Sequence, residues 1–292
     1  MNILTFDIED WYLDRKYFGA NPSTEAIYYN ILYRILDLLD SQNTKATFFC
    51  LGGLCEEFPD VIKSIFNRGH EVGCHSYVHQ WVNKMDPKEF RQDTRNAIDA
   101  LEQLIGTKVI SYRAPAFSIG ESNKWAFEIL RELGIQNDAS IFPGMRDFGG
   151  FPNFIGGGSP CRINHNGVIL NEFPITMTKL PFVGKEIAYS GGGYFRMLPI
   201  NFVKSRMAKA AYNMCYFHIS DLLPFKTNML TRENFERYFQ EPGSLKNRYL
   251  RYLKANFRRK YAFAGLAEIV RDFKFTSVTE AASSTALPII EI

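Results

Sequence analysis

Residues 58–79 read "FPDVIKSIFNRGHEVGCHSYVH". Pro59 stands just inside a helix start and Gly69 just past its end, the two places where a missing N–H and a left-handed backbone are tolerated. The apolar run "HEVGCHS" that follows reads as a strand. The same unit recurs on both sides. Upstream, "NILTFDI" (2–8) is a first strand, and a helix from about Ser23 to Ser41 carries Ile27, Ile31, Leu32, Ile35, Leu38 and Leu39 at helical spacing before the strand "KATFFCL" (45–51). Downstream, Asp86 as N-cap, Pro87 at N1 and Glu89 at N3 open a helix that runs to Gly106. The strand "KVISYRAP" (108–115), the helix "SNKWAFEILRELG" (122–134) and the strand "IQNDASI" (135–141) come next. Gly144 to Gly158 is rich in Gly, Pro and Phe and reads as a long loop, after which "GVILNEFPI" (167–175) resumes as a strand. Then come "GGGYFRMLP" (191–199), a helix from about Asn201, the strand "NMCYFHI" (213–219), a helical stretch from Thr231 to Phe273 and a last strand "FKFTSVTEA" (273–281). Strands alternating with helices predict an α/β fold with parallel strands under right-handed crossovers, either a (β/α) barrel or an open doubly wound sheet. The expected organisation is one domain over 1–292 with a loop-rich insertion at about 144–200.

Composition limits the function classes. The chain of 292 residues is 46% apolar and 22% charged, enough to bury a large core. A net charge of +3 argues against a nucleic-acid partner, and the local run Arg258, Arg259, Lys260 reads as a solvated helix face. The five cysteines (Cys50, Cys55, Cys74, Cys161, Cys215) show neither a CxxC pair nor zinc-finger spacing, so reduced thiols are expected. No charged segment followed by an apolar one opens the chain, and no run reaches the roughly 18 apolar residues that span a bilayer. The expected location is therefore cytoplasmic, with no transmembrane segment.

In either architecture, reactive side chains collect at the carboxyl ends of the strands. Asp7 and Asp10 end the first strand, His75 and His79 follow the third, Arg113 ends the fourth, Asp138 the fifth, and His218 a late one. The i, i+4 pair in "HSYVH", set on a helical turn, would direct both imidazoles to one side. Two imidazoles and one carboxylate leave coordination positions open for a water and a substrate oxygen, with zinc the default and other divalent first-row metals suited to the same ligands. His70 reads as capping a helix end and His165 as a turn residue.

Five stretches in this order, "TFDIED", "HSYVH", "RAPAF", "NDASIF" and "YFHIS", resemble the motifs of the polysaccharide deacetylase family, carbohydrate esterase family 4. "GGGYFRMLP" further resembles a bacterial branch linked to exopolysaccharide and surface-glycan synthesis. The resemblance runs from Met1 to about Ala281. It implies a deformed (β/α) barrel of about seven parallel strands and metal-dependent removal of an N-acetyl group from an amino sugar. It also implies that Asp7 is the general base, that His75 and His79 are metal ligands, and that Arg113 holds the Asp7 carboxylate in place. His218 would be the general acid, Asp138 would orient a catalytic His or Arg, and the backbone N–H of Ala116 would complete an oxyanion hole.

The departures from the family pattern bear on particular residues. Ile8 and Glu9 intervene between Asp7 and Asp10; Asp10 is the expected third ligand, reached by a bend at the strand end, and Glu9 is the alternative. Trp11 and Tyr12 are expected to close the loop over the barrel mouth. The aromatic of the third motif is displaced to Phe117, Phe142 and Pro143 replace a usual Trp, and Phe117 and Tyr194 are expected to contact substrate. The expected partner is an N-acetylated carbohydrate. A cyclic-amide amidohydrolase of the same fold, or a relative that binds carbohydrate without turnover, are the competing readings.

Overall fold

The computed structural model describes residues 1–145, 149–179, 186–239 and 241–292. Among them the strands are β1 (Asn2–Ile8), β2 (Thr47–Cys50), β3 (Glu71–Cys74), β4 (Ser111–Tyr112), β5 (Asn137–Asp138), β6 (Cys161–His165), β7 (Val168–Glu172), β8 (Thr178–Lys179), β9 (Glu186–Ile187), β10 (Asn213–His218) and β11 (Ile289–Glu291). The main sheet has the order β10-β1-β2-β3-β4-β5-β7-β6-β11. From β10 to β7 every neighbouring pair is parallel, which makes seven parallel strands; β6 runs antiparallel to β7 and parallel to β11. The sheet curls until β10 meets the segment that follows β7. Met214 N–H donates to Thr176 Oγ1 (2.7 Å) and Tyr212 Oη to the Pro174 carbonyl (2.8 Å). Individual bonds of this kind, rather than a ladder between β7 and β10, join the two ends, and the barrel is deformed accordingly.

Strand alternation sorts the core into two layers. Leu4, Phe6 and Ile8 of β1, with Phe48 and Cys50 of β2 and Cys215 and Phe217 of β10, pack outward under the helices. Ile3, Phe49, Met214 and Tyr216 fill the interior together with Phe117, Phe173 and Ile175. Phe6 stacks on Phe48 with centroids 4.8 Å apart. The helix Pro22–Ser41 buries Ile31, Leu32, Ile35, Leu36 and Leu39. The helix Pro87–Ile105 carries the expected capping box of Asp86 and Glu89 and stops at Gly106, which is left-handed (φ 73°).

Four expectations are corrected. A helix, Asp10–Phe18, begins where a loop over the barrel mouth was expected, and Trp11 is fully buried with its ring against Tyr28 and Tyr29. The last expected strand keeps only an isolated bridge from Thr276 to Ile3. From Val278 to Ser284 it is a helix, because Ser277 and Glu280 form a capping box that outweighs the β-branched residues. The stretch from Thr231 to Phe273 is divided into Arg232–Phe239, Leu245–Asn256 and Ala262–Asp272, with Pro242-Gly243 at one break and Arg258 (φ 50°) at the other. Within 144–200 lies a β6–β7 hairpin turning on Asn166 and Gly167 (φ 52° and 82°), the two positive dihedrals that a type I′ turn demands. Residues 146–148 and 180–185 of that range lie outside the described residues.

Candidate active site

The β1 alternation that faces Thr5 and Asp7 inward continues one step to Glu9. The side chain of Glu9 is buried, and its Oε2 lies 2.9 Å from His79 Nε2 and 3.1 Å from His75 Nε2. One ligand atom from each of the three lies within 4.8 Å of the others. The histidines do not stand on a helical turn. His75 follows β3 directly, and the chain then bends through Ser76 (φ 71°) and His79 (φ 60°). Ser76 Oγ accepts the His79 N–H (2.9 Å) and Asp93 Oδ2 the Tyr77 N–H (2.9 Å), so neighbouring side chains hold the bend open.

The chemistry of this donor set fits a cation. His75 Nδ1 lies 2.8 Å from the Arg113 carbonyl, which can only accept, so Nδ1 carries the hydrogen. In the neutral ring the Nε2 lone pair then faces Glu9 Oε2 at 3.1 Å, and two acceptors at that range need a proton or a metal ion between them. Burial alone would raise the Glu9 pKa, but His79, His218 and His75 hold it well below the ordinary carboxylate value. Asp10, the expected third ligand, is elsewhere. It opens the helix Asp10–Phe18, its Oδ2 accepts the Ser220 N–H at 3.3 Å, and it lines a separate cavity of about 610 Å³. Burial raises its pKa to about 7.

Beside the cluster, Arg113 Nη1 contacts Asp7 Oδ1 at 2.8 Å. The guanidinium is fully buried; it also donates to Thr5 Oγ1 (2.8 Å) and the Ala139 carbonyl (3.1 Å) and lies over the Phe49 ring at 4.4 Å. Asp7 Oδ2 is 3.8 Å from His218 Nε2. On the far side of the imidazole, Nδ1 meets Asp221 Oδ2 at 3.0 Å, and Asp221 is paired with Arg196. Burial would lower the His218 pKa, but Glu9, Asp221 and Asp7 together raise it to about 10.

Asp138, expected to orient a catalytic His or Arg, meets Ser140 and Glu172 instead. It accepts from Ser140 Oγ and shares a hydrogen bond with Glu172, its register partner on β7. Both carboxyls are fully buried; burial raises Asp138 to about 6, and burial together with Asp138 raises Glu172 well above the usual range. The influence of the pair on the site passes through backbone. Ser140 Oγ accepts the Ala114 N–H (2.8 Å), and the Ala139 carbonyl accepts from Arg113. The group that faces the His218 imidazole is Asp221, which the sequence reading missed. Its signal was present in "HISD": a carboxylate three residues after His218 closes back on the His218 N–H (3.0 Å). Arg196 and Glu172 had no local signal, since only the folded chain brings them to their partners.

Asp7, Glu9, His75, His79 and His218 line one cavity of about 300 Å³ together with Ala116, Phe117 and Tyr238. Ala116 and Phe117 are left-handed (φ 54° and 53°), a strained conformation for residues with a Cβ. Gly149 packs on that turn so closely that a Cβ there would lie 2.5 Å from the Phe117 carbonyl. Tyr194 is not among the residues lining the cavity; its ring lies 5.3 Å from Lys254 Nζ. His70 is buried against Phe48 with both ring nitrogens unpartnered, and burial lowers its pKa to about 4. His165 ends β6 with Nδ1 2.9 Å from Glu128. Arg259 is buried rather than solvated and donates to the Ser220 carbonyl at 2.6 Å.

Comparison with known proteins agrees with this arrangement. The polysaccharide deacetylase family model matches residues 4–137, and a domain of unknown function matches 139–283. A peptidoglycan-N-acetylglucosamine deacetylase of Bacillus cereus is 40% identical over 96 residues, covering 32% of this chain and 35% of that protein. The peptidoglycan-N-acetylmuramic acid deacetylase PdaC of Bacillus subtilis is 29% identical over 103 residues, 35% of this chain and 21% of that protein. The matched region thus spans about a third or less of these relatives. Among solved structures, a Mycobacterium smegmatis protein assigned to the polysaccharide deacetylases superposes with a TM-score of 0.53 at 18% identity, over 99% of this chain and 94% of that one. A pseudoenzyme of carbohydrate esterase family 4 from Bacillus anthracis gives 0.51 at 15% identity, over 100% and 69%. Sequence match and fold agree: residues 4–137 carry a polysaccharide deacetylase domain, and the chain as a whole has the fold of the solved polysaccharide deacetylases.

Proposed function

We propose that this protein is a metal-dependent hydrolase that removes the acetyl group from an N-acetylated amino sugar of a bacterial glycan or glycan precursor. The observation that supports it is the convergence of the His75 and His79 imidazoles on one Glu9 oxygen, beside an Asp7–Arg113 pair and opposite His218. Glu9, His75 and His79 would hold a divalent ion, which would supply Lewis-acid polarisation of the acetamide carbonyl and make a water acidic enough to attack at neutral pH. Asp7, clamped by Arg113, accepts the proton of the attacking water. His218, its Nδ1 hydrogen committed to Asp221, presents Nε2–H to the sugar nitrogen and protonates it as the C–N bond breaks, because an amine anion is a very poor leaving group. The left-handed turn at Ala116 offers a backbone N–H for the oxygen that gains charge. The cavity of about 300 Å³ suits one N-acetylhexosamine unit, and the Bacillus relatives are named for N-acetylglucosamine and N-acetylmuramic acid.

The test is acetate release from N-acetylglucosamine oligomers and from peptidoglycan fragments, before and after chelation, with a cyclic ureide assayed in parallel. Release that disappears on chelation and returns with zinc or another divalent metal is the expected result. Turnover of the ureide alone, or acetate release indifferent to chelation, would contradict the proposal.

A further inference from the structure

The helix Leu245–Asn256 buries only Asn256 among its residues, which is unusual for a helix that carries several large apolar side chains. Leu245, Tyr249, Leu250 and Leu253, and Phe257 just beyond the helix, are each 45–65% exposed. Their spacing places them on one broad face, with Tyr261 (53% exposed) continuing it past the break at Arg258. Residues 244–261 hold seven Lys and Arg and no Asp or Glu, so this short segment alone exceeds the +3 net charge of the chain. Arg259 is held on the Ser220 carbonyl, Arg251 on Glu241, Arg248 on the Leu230 carbonyl and Lys254 over the Tyr194 ring. Lys246, Arg258 and Lys260 are exposed around the apolar face.

We infer that this face docks on an anionic lipid bilayer. Aliphatic and aromatic side chains flanked by cations, with no acid among them, are the pattern that settles at the boundary between headgroups and acyl chains: the apolar groups leave water while the ammonium and guanidinium groups stay with the phosphates. A second copy of the chain fits the face less well, since a two-fold contact would set its cations against themselves. A nucleic acid would use the cations but leave Leu245, Leu250 and Leu253 in water. The helix that carries the face turns its other side toward the cavity. The Arg251 guanidinium lies over the Phe239 ring at 4.2 Å, and Phe239 lines the catalytic cavity. Docking therefore sets the wall of that cavity about one helix diameter, roughly 10 Å, from the bilayer surface, where a glycan still attached to lipid would be presented.

The test is flotation of the full chain with vesicles of phosphatidylcholine alone and of phosphatidylcholine containing about 30% phosphatidylglycerol. Binding is expected only to the anionic vesicles and should weaken in about 0.5 M salt. Leu250→Ser with Leu253→Ser, and separately Lys246→Gln with Lys260→Gln, should each reduce the bound fraction about tenfold while circular dichroism is unchanged. The readout needs no turnover, so its failure is distinct from failure of the deacetylase assignment. No binding to anionic vesicles, or undiminished binding by both double variants, would overturn the inference. So would tighter binding to an oligonucleotide, or a dimer that the same substitutions dissolve.

Discussion

Removing one charge from Glu9 separates the two ways in which the carboxylates of "TFDIED" could serve a metal. Glu9 Oε2 is 2.9 and 3.1 Å from the two imidazoles, whereas Asp10 faces Ser220 in another cavity. Glu9→Gln keeps the shape but leaves two histidines and a weakly donating amide. Loss of a group that merely supports a ligand costs about 10–100-fold in metal affinity, so loss of a ligand itself should exceed about 100-fold, or about 2.7 kcal/mol at 25 °C. Asp10→Asn should change affinity less than about threefold. The assay is titration of the chelator-stripped protein with zinc by calorimetry, checked by metal analysis after dialysis; neither requires substrate. A second effect follows from the 3.5 Å separation of Glu9 Oε1 and His218 Nε2. A unit charge at that distance is worth about 5 kcal/mol at an effective dielectric near 20, so in the metal-free protein Glu9→Gln should move the His218 titration from about 10 toward the ordinary histidine range. Retention of zinc by Glu9→Gln together with its loss from Asp10→Asn would refute the ligand assignment.

Asp221→Asn should leave Arg196 buried without its counter-charge, a loss of about 3–5 kcal/mol. With an unfolding entropy near 2.1 cal/mol/K per residue, that is a fall in melting temperature of about 5–8 °C. The same substitution should lower kcat by about 10²-fold or more with little change in KM, because the imidazole loses the partner on Nδ1; near wild-type turnover would make Asp221 purely structural. His70 predicts a pH effect on stability. Its folded pKa, about 4, lies below the unfolded value, so the unfolded chain binds more protons between them; stability is greatest above about pH 6.5 and falls by up to about 3 kcal/mol as pH drops toward 4. In urea titrations across that range His70→Phe should flatten the fall, and an unchanged slope would assign it to other groups. Glu172→Gln, which can still donate to Asp138, should cost less than about 1 kcal/mol and Glu172→Ala about 2–4 kcal/mol; equal losses would argue against a proton shared by the pair.

The fold was legible where local signals and register agree. β1 spans the residues read as a strand, and the capping box at Asp86 and the stop at Gly106 stand where the sequence puts them. The candidate site was legible in its residue types and less so in its partners. Alternation along β1 already places Asp7 and Glu9 on one face; the expectation of Asp10 depended on a bend, and the chain instead starts a helix there, carrying Asp10 away. His75 and His79 do meet one carboxylate, through a bend held by Ser76 and Asp93 and not through helical spacing. The partner of Asp138 follows from β5 lying next to β7, a register set by the whole sheet. Tyr194 sits in a motif of its own, but the cavity is walled from a different part of the chain, at Tyr238 and Phe239.

The pairing of β1 with β10 has a consequence for how the chain acquires its shape. Asn2 pairs with Asn213 across 211 residues of sequence, so β1 leaves the ribosome well before its partner and completes its ladder only when the late strand emerges. At roughly 5–20 residues per second, β1 waits about 10–40 s with one edge open, held on the other side by β2. During that interval Asp7, Glu9, His75, His79 and Arg113 can already assemble, while His218, Asp221 and Arg196 have still to arrive. Contacts of such long sequence separation are slow to close, which makes the nascent first half a species with an open strand edge, exposed to mispairing and to chaperone binding.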